Sequence, residues 1–240
     1  MNPPSLEQAK KIANDVKRGL RFINKTQVVI CPPFVYLGTL SNFSSNSLFL
    51  GAQDAFYEPL GAFTGEVSFS QLPDFKVDFV ILGHSERRAR GETDEIINKK
   101  VRSTMGCGLT AILCVGEKER DHHGEYLSFI KKQIIDGLKD VSKKSLDHLV
   151  IAYEPIWTVG IGKQAMRPQD IHEMSIFIRK VLRDMYGIFG DDVRVLYGGS
   201  VMTNDADEIV RDGKVSGLLV GRESLKPKDF IQIVKLVDSI

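Results

Sequence analysis

With 240 residues, 42% of them hydrophobic and 26% charged, the chain can bury a large core, and its net charge of +1 leaves no excess to draw it to nucleic acid or an anionic membrane. Cys31, Cys107 and Cys114 are odd in number and show no Cys-x-x-Cys or Cys/His metal spacing. They read as reduced core thiols of a cytoplasmic protein, which excludes a disulfide framework. No leader pattern and no bilayer-length apolar run is present, so an unexported, soluble protein is expected.

The first predicted element is a helix. Ser5 is placed to cap it, Glu7 falls in its first turn, and Leu6, Ala9, Ile12, Ala13, Val16 and Leu20 recur at helical spacing. Apolar runs then alternate with helical patterns. The strands predicted are Gln27–Cys31, Leu48–Gln53, Phe79–Gly83, Leu109–Gly116, Leu149–Glu154, Val193–Gly199 and Gly217–Gly221. The longer helices predicted are Glu92–Cys107, Glu119–Val141, Pro168–Tyr186 and Pro227–Ile240, with shorter ones after Pro32 and Thr203.

Strands that are apolar throughout, without alternation, belong to a parallel sheet covered on both faces. Repeated strand–helix units with no linker predict the α/β class and one domain over residues 1–240, a TIM (β/α)8-type barrel. Seven strands set against eight helical segments leave that barrel with its first β-strand absent from the sequence.

In such barrels the chemistry sits where strands run into the following loops. Glu154 ends one strand and precedes Pro155, Ile156, Trp157 and a loop holding Gly160 and Gly162. It reads as a catalytic base that a mobile loop can cover; the competing reading is a structural ion-pair carboxylate. His84 also follows a strand, as a carbonyl polariser or proton shuttle on one reading and a satisfied buried histidine on the other. Ser85 is placed to cap the next segment, and Glu86, Arg87 and Arg88 to form a buried charge network that stiffens the mouth.

Gly198, Gly199 and Ser200, and then Gly221 with Arg222, follow the last two strands, where backbone N–H groups commonly meet a phosphate. Tight turns alone also call for glycine. His122 and His123 read as surface residues without a third metal ligand, and His148 and His172 as structural.

Taken together, GHSERR, AYEPIWTVGIGK, YGGSV and GLLVGRESL, with GAFTGEVS (Gly61–Ser68), resemble the triosephosphate isomerases over the whole chain. The resemblance implies an isomerase of triose phosphates working without cofactor or metal. Glu154 would remove the proton beside the substrate carbonyl, and His84 would be the neutral electrophile that stabilises the enediolate. Ser85 and Glu86 would stand behind them, Glu86 as a supporting or proton-relay carboxylate, with Cys114 in the core near Glu154.

By the same resemblance Pro155–Ala165 would be a closing lid, with Gly160 donating its N–H to substrate phosphate and Ser200, Gly221 and Arg222 adding backbone donors. Arg222 stands where many members have a second glycine, so its side chain is expected to point away from the phosphate. The Gly61–Ser68 loop, through its tip near Thr64, would insert into a second copy and make a homodimer.

The family's first strand ends in Asn-x-Lys, and the chain opens at Met1-Asn2, after the place of that lysine. Strongly reduced activity is therefore expected. A second reading is a barrel that binds phosphate ligands or a protein partner without turnover, and a third is another phosphosugar enzyme on the same fold. The third accounts for the glycine turns and leaves His84 and the lid unexplained.

Overall fold

The computed structural model describes residues 2–45, 47–160 and 162–240. In chain order the elements are α1 (Leu6–Gly19), β1 (Val28–Ile30), α2 (Phe34–Leu40), β2 (Leu48–Ala52), β3 (Val77–Leu82), α3 (Ser85–Arg88), α4 (Asp94–Gly106), β4 (Thr110–Val115), α5 (Glu125–Gly137), β5 (Leu149–Tyr153), α6 (Pro168–Tyr186), β6 (Arg194–Tyr197), α7 (Ala206–Gly213), β7 (Gly217–Leu218) and α8 (Pro227–Asp238). Ser5 caps α1 by accepting the Gln8 N–H, as its sequence predicts. The seven strands form one parallel sheet in sequence order.

Two sets of side chains explain why both strand faces are apolar. Phe79, Ile112, Cys114, Val150 and Ala152 point inward and pack on one another, joined by Val29, Ile81 and Leu196. The alternate residues, among them Val80, Leu82, Ala111, Leu113, Ile151 and Val195, pack outward with helix residues such as Ile97, Ile134 and Ile178. The sheet curls until its ends face each other across a seam. There Val16 and Leu20 of α1 share a cluster with Phe230 and Val234 of α8.

The floor of the seam is pinned. Arg194 Nη1 donates to Gln27 Oε1 at 2.8 Å, and the Asp238 carboxylate accepts the N–H groups of Lys25 at 2.9 Å and Thr26 at 2.8 Å. Above it, β1 pairs only with β2 and β7 only with β6 among the described residues. Between the two edges lies a cavity of about 1340 Å³, lined by Val29, Ile30, Leu218, Val220 and Phe230 and reaching His84.

Two expectations need correction. The helix predicted from Glu119 starts at Glu125, because the Asp121 carboxylate takes the N–H groups of His123, Glu125 and Tyr126 and Gly124 turns at φ +78°. Those bonds hold the Asp121 pKa down to about 2. The cysteines are not all core thiols either: Cys114 is buried, Cys31 is half-buried and Cys107, just past α4, is exposed. Burial pushes the Cys31 thiol up to about 12.

The charge network at the mouth forms with a different membership from the one expected. Lys100 of α4 meets both carboxylate oxygens of Asp54 at 2.8 Å and also pairs with Glu92. Arg87 joins Asp54 at 2.9 Å and Glu92 at 3.1 Å. Arg88 donates to the Gly83 carbonyl at 2.7 Å and pairs with Asp94. Glu86 is exposed and takes no part through its side chain among the described residues, because its place on the short α3 turn faces outward.

Lys100 is almost wholly buried, so removing its charge leaves two buried carboxylates sharing one part-exposed cation, Arg87. Lys100→Met is expected to lower the unfolding free energy by about 3–5 kcal/mol, read from urea denaturation. An unchanged midpoint would show that the cluster carries no stability.

Candidate active site

On β5, Val150 and Ala152 face inward, and the period of two carries the next inward position to Glu154, one residue past the strand's end. The Glu154 N–H extends the ladder by donating to the Val115 carbonyl at 2.8 Å. Its carboxylate is 3% exposed. Oε1 lies 2.9 Å from His84 Nε2, and Oε2 accepts the Ser85 N–H at 3.1 Å. Residues 84, 85 and 154, picked out separately along the chain, thus meet at one point of the barrel mouth.

His84, and not Ser85 as expected, is the N-cap of α3: its Nδ1 accepts the Glu86 N–H at 3.3 Å, while Ser85 is the first residue of the helix. That bond places the proton of the neutral ring on Nε2, facing Glu154. Burial disfavours the imidazolium, but the hydrogen bond and charge of Glu154, with the charge of Glu86, outweigh it and raise the His84 pKa. Cys114 stands beside Glu154, and burial together with that neighbouring charge raises its thiol well above the usual range.

Two glycines make room for Glu154, one at its main chain and one at its side chain. A Cβ on Gly116 would sit 1.8 Å from the Glu154 carbonyl oxygen, and one on Gly198 would sit 2.9 Å from Glu154 Cγ. Gly199 makes room for the segment after Glu154 instead: a Cβ there would fall 2.2 Å from the Tyr197 hydroxyl and 2.5 Å from Thr158 Oγ1. The Gly198-Gly199 pair is therefore a close-packing requirement as well as a turn.

The segment Pro155–Ala165 is held at both ends; its Ile161 lies outside the described residues. At the start, Trp157 Nε1 donates to Glu117 Oε1 at 2.9 Å, an oxygen that also accepts the Tyr153 hydroxyl at 2.8 Å. At the far end the Met166 N–H donates to the Tyr197 hydroxyl at 3.0 Å. Gly160 sits at the exposed tip with φ +130°, and the Arg222 guanidinium donates to its carbonyl. Ser200 is half-buried, and Gly221 is exposed where a short 3-10 turn, Arg222–Leu225, begins.

Glu117 and its two aromatic donors are not singled out from the sequence. The signal was present, since Glu117 follows the LTAILCVG strand as Glu154 follows LVIAY. Among the described residues no three His, Cys, Asp or Glu side chains gather as a metal site. No helix of the described residues is long and apolar enough to cross a membrane.

A raised His84 pKa has a signed consequence. The His84–Glu154 pair contributes its full stability below the unfolded histidine value of 6.5, and the contribution is lost as pH rises through the raised folded value. In Glu154→Gln the raising charge is gone and burial remains. The His84 imidazole, followed by NMR titration, is then expected to titrate below its wild-type pKa; an unchanged titration would show that the pair does not form in solution.

A family model described as triosephosphate isomerase matches residues 1–237. The triosephosphate isomerase of Endomicrobium trichonymphae is 38% identical over 235 residues, covering 96% of this chain and 93% of the relative. That of Dictyoglomus thermophilum is 42% identical, covering 87% and 85%, and that of Carboxydothermus hydrogenoformans is 40% identical, covering 95% and 92%. The parallel, curled sheet, the carboxylate–imidazole pair at its mouth and these matches agree: the chain belongs to the triosephosphate isomerase family.

Proposed function

We propose that the chain, as a cofactor-independent isomerase, interconverts dihydroxyacetone phosphate and D-glyceraldehyde 3-phosphate, a step of glycolysis and gluconeogenesis, with Glu154 as base and His84 as electrophile. The observation that supports these roles best is the buried Glu154 carboxylate 2.9 Å from His84 Nε2 at the barrel mouth. The reaction moves a proton between adjacent carbons and leaves the substrate's overall oxidation state unchanged. Glu154 takes the proton beside the carbonyl and returns it to the neighbouring carbon of the enediolate, while the hydroxyl proton passes from one oxygen to the other, so that the carbonyl and hydroxyl exchange places.

To reach substrate, Glu154 leaves His84 and the Ser85 N–H. Once the carboxylate has turned away, burial is the largest influence left on His84, and it favours the neutral ring. The Glu86 N–H keeps the ring proton on Nε2, aimed at the substrate oxygen. Gly160, Ser200, Gly221 and Arg222 supply backbone N–H groups to the phosphate, and the Pro155–Ala165 lid shields the enediolate from water. In a coupled assay Glu154→Gln is expected to lower kcat by about 10²–10⁴-fold with little change in KM. Unchanged turnover would remove Glu154 from the mechanism.

The cavity between β1 and β7 is, in this reading, the seat of an eighth parallel strand, the one that in this family ends in Asn-x-Lys. Three features support it. Two sheet edges face each other unpaired among the described residues, α1 packs on α8 outside the gap, and no strand precedes α1 among the described residues. The lysine would bring a positive charge to the mouth, where the cavity already reaches His84.

The homodimer is proposed through the Gly61–Ser68 loop, supported by the exposure of Leu60 (87%) and Phe63 (42%) on and beside it. A cytoplasmic, single-domain protein completes the reading, supported by three cysteines without disulfides. The 240-residue chain and a version extended by a strand ending in Asn-x-Lys are to be compared by assay, thermal unfolding and sedimentation. The extension is expected to raise kcat about 10²–10³-fold and to raise Tm, both sedimenting as dimers. A gain in neither rate nor Tm overturns the strand's seat, and monomers in both overturn the dimer.

A further inference from the structure

Arg222 is an unexpected residue for a phosphate loop; the resemblance would turn its side chain away from the phosphate, but that side chain is engaged across the mouth. Its guanidinium donates to the carbonyl of Gly160, a residue 62 positions away at the tip of the lid. Gly160 has φ +130°, a conformation that side-chain-bearing residues rarely adopt, and in it the carbonyl is turned to meet Arg222. The lid's two ends are held by other groups, Trp157 on Glu117 and Met166 on Tyr197. Among the described residues, Arg222 is the side chain that donates to the tip.

We propose that Arg222 is a bridge between lid and phosphate. One arm of its guanidinium positions the lid tip through the Gly160 carbonyl, while its charge and another N–H bind the substrate phosphate among the backbone donors of Gly160, Ser200 and Gly221. This rests on the phosphate assignment made above. A guanidinium carries five N–H donors in a planar fork, so it serves a carbonyl and a phosphate oxygen together. The bond to the anion is charge-assisted and the stronger of the two. An ammonium at this place keeps the attraction and loses the planar bridge.

The bridge couples two events that backbone donors alone would leave separate. Phosphate arriving at the loop after β7 meets a cation already attached to the lid, so binding energy at one loop is felt at the other. Arg222 is thus a positioning residue toward the lid and a ligand toward the phosphate.

The test compares the full chain with Arg222→Gly and Arg222→Lys. Inorganic phosphate is the ligand, titrated by calorimetry, and hydrogen exchange is followed in the 155–165 segment without ligand. Arg222→Gly is expected to bind phosphate roughly tenfold more weakly and to exchange its lid amides about fivefold faster. Arg222→Lys is expected to recover most of the affinity while the lid stays fast. A role confined to the Arg222–Leu225 turn would alter exchange there and leave 155–165 unmoved.

Equal affinity and equal lid exchange in wild type and Arg222→Gly overturn the bridge and leave the phosphate site standing. Full recovery of both by Arg222→Lys also overturns it, since charge alone would then suffice. Failure of the wild-type chain to bind phosphate removes the phosphate site and the bridge with it.

Discussion

The parallel ladder from β3 to β6 is the constraint on which the site depends. Its register sets Leu82 against Leu113, Val115 against Tyr153 and Tyr153 against Tyr197. The residues after each strand therefore emerge at one level of the barrel mouth. Because side chains alternate, a slip of one residue in β5 would turn Glu154 outward and bring Tyr153 to the interior. Apolar packing on both faces resists that slip, so the carboxylate's direction is set by Val150 and Ala152 behind it.

Much of this was legible in the chain. Continuous apolar runs marked the strands, and the rule that chemistry follows strand ends picked out His84, Glu154 and both glycine turns. Strand limits shifted by one or two residues, and β7 is only Gly217–Leu218, because apolar character continues into loops that leave the sheet. What stayed hidden depended on pairings between remote segments. Nothing local in the sequence tells that Lys100 reaches Asp54, or that Glu86, in a run of charges with Arg87 and Arg88, turns outward. The start of α5 was misplaced for a local reason: Asp121 offers the backbone acceptors that compete with a helix.

The molecule is unevenly tied around its seam. Its floor is joined by Arg194 with Gln27 and by Asp238 with the residues leading into β1, while the upper edges of β1 and β7 stand apart. At the mouth, Asp54, Arg87, Glu92 and Lys100 stiffen the turn that carries His84. His84 is consequently carried on a braced turn, and the cavity at the seam reaches up to it.

The hydrogen bond from Trp157 to Glu117 also makes the molecule self-reporting. Trp157 is the chain's one tryptophan, so indole emission comes from a single ring at the start of the 155–165 segment. Its colour and lifetime describe the polarity around that hinge, against a background of tyrosines that absorb at shorter wavelength. A melting curve drawn from this light would follow the release of the hinge, and circular dichroism would follow the barrel. The interval between the two curves measures how far this segment's local order outlasts, or falls short of, that of the sheet that bears it.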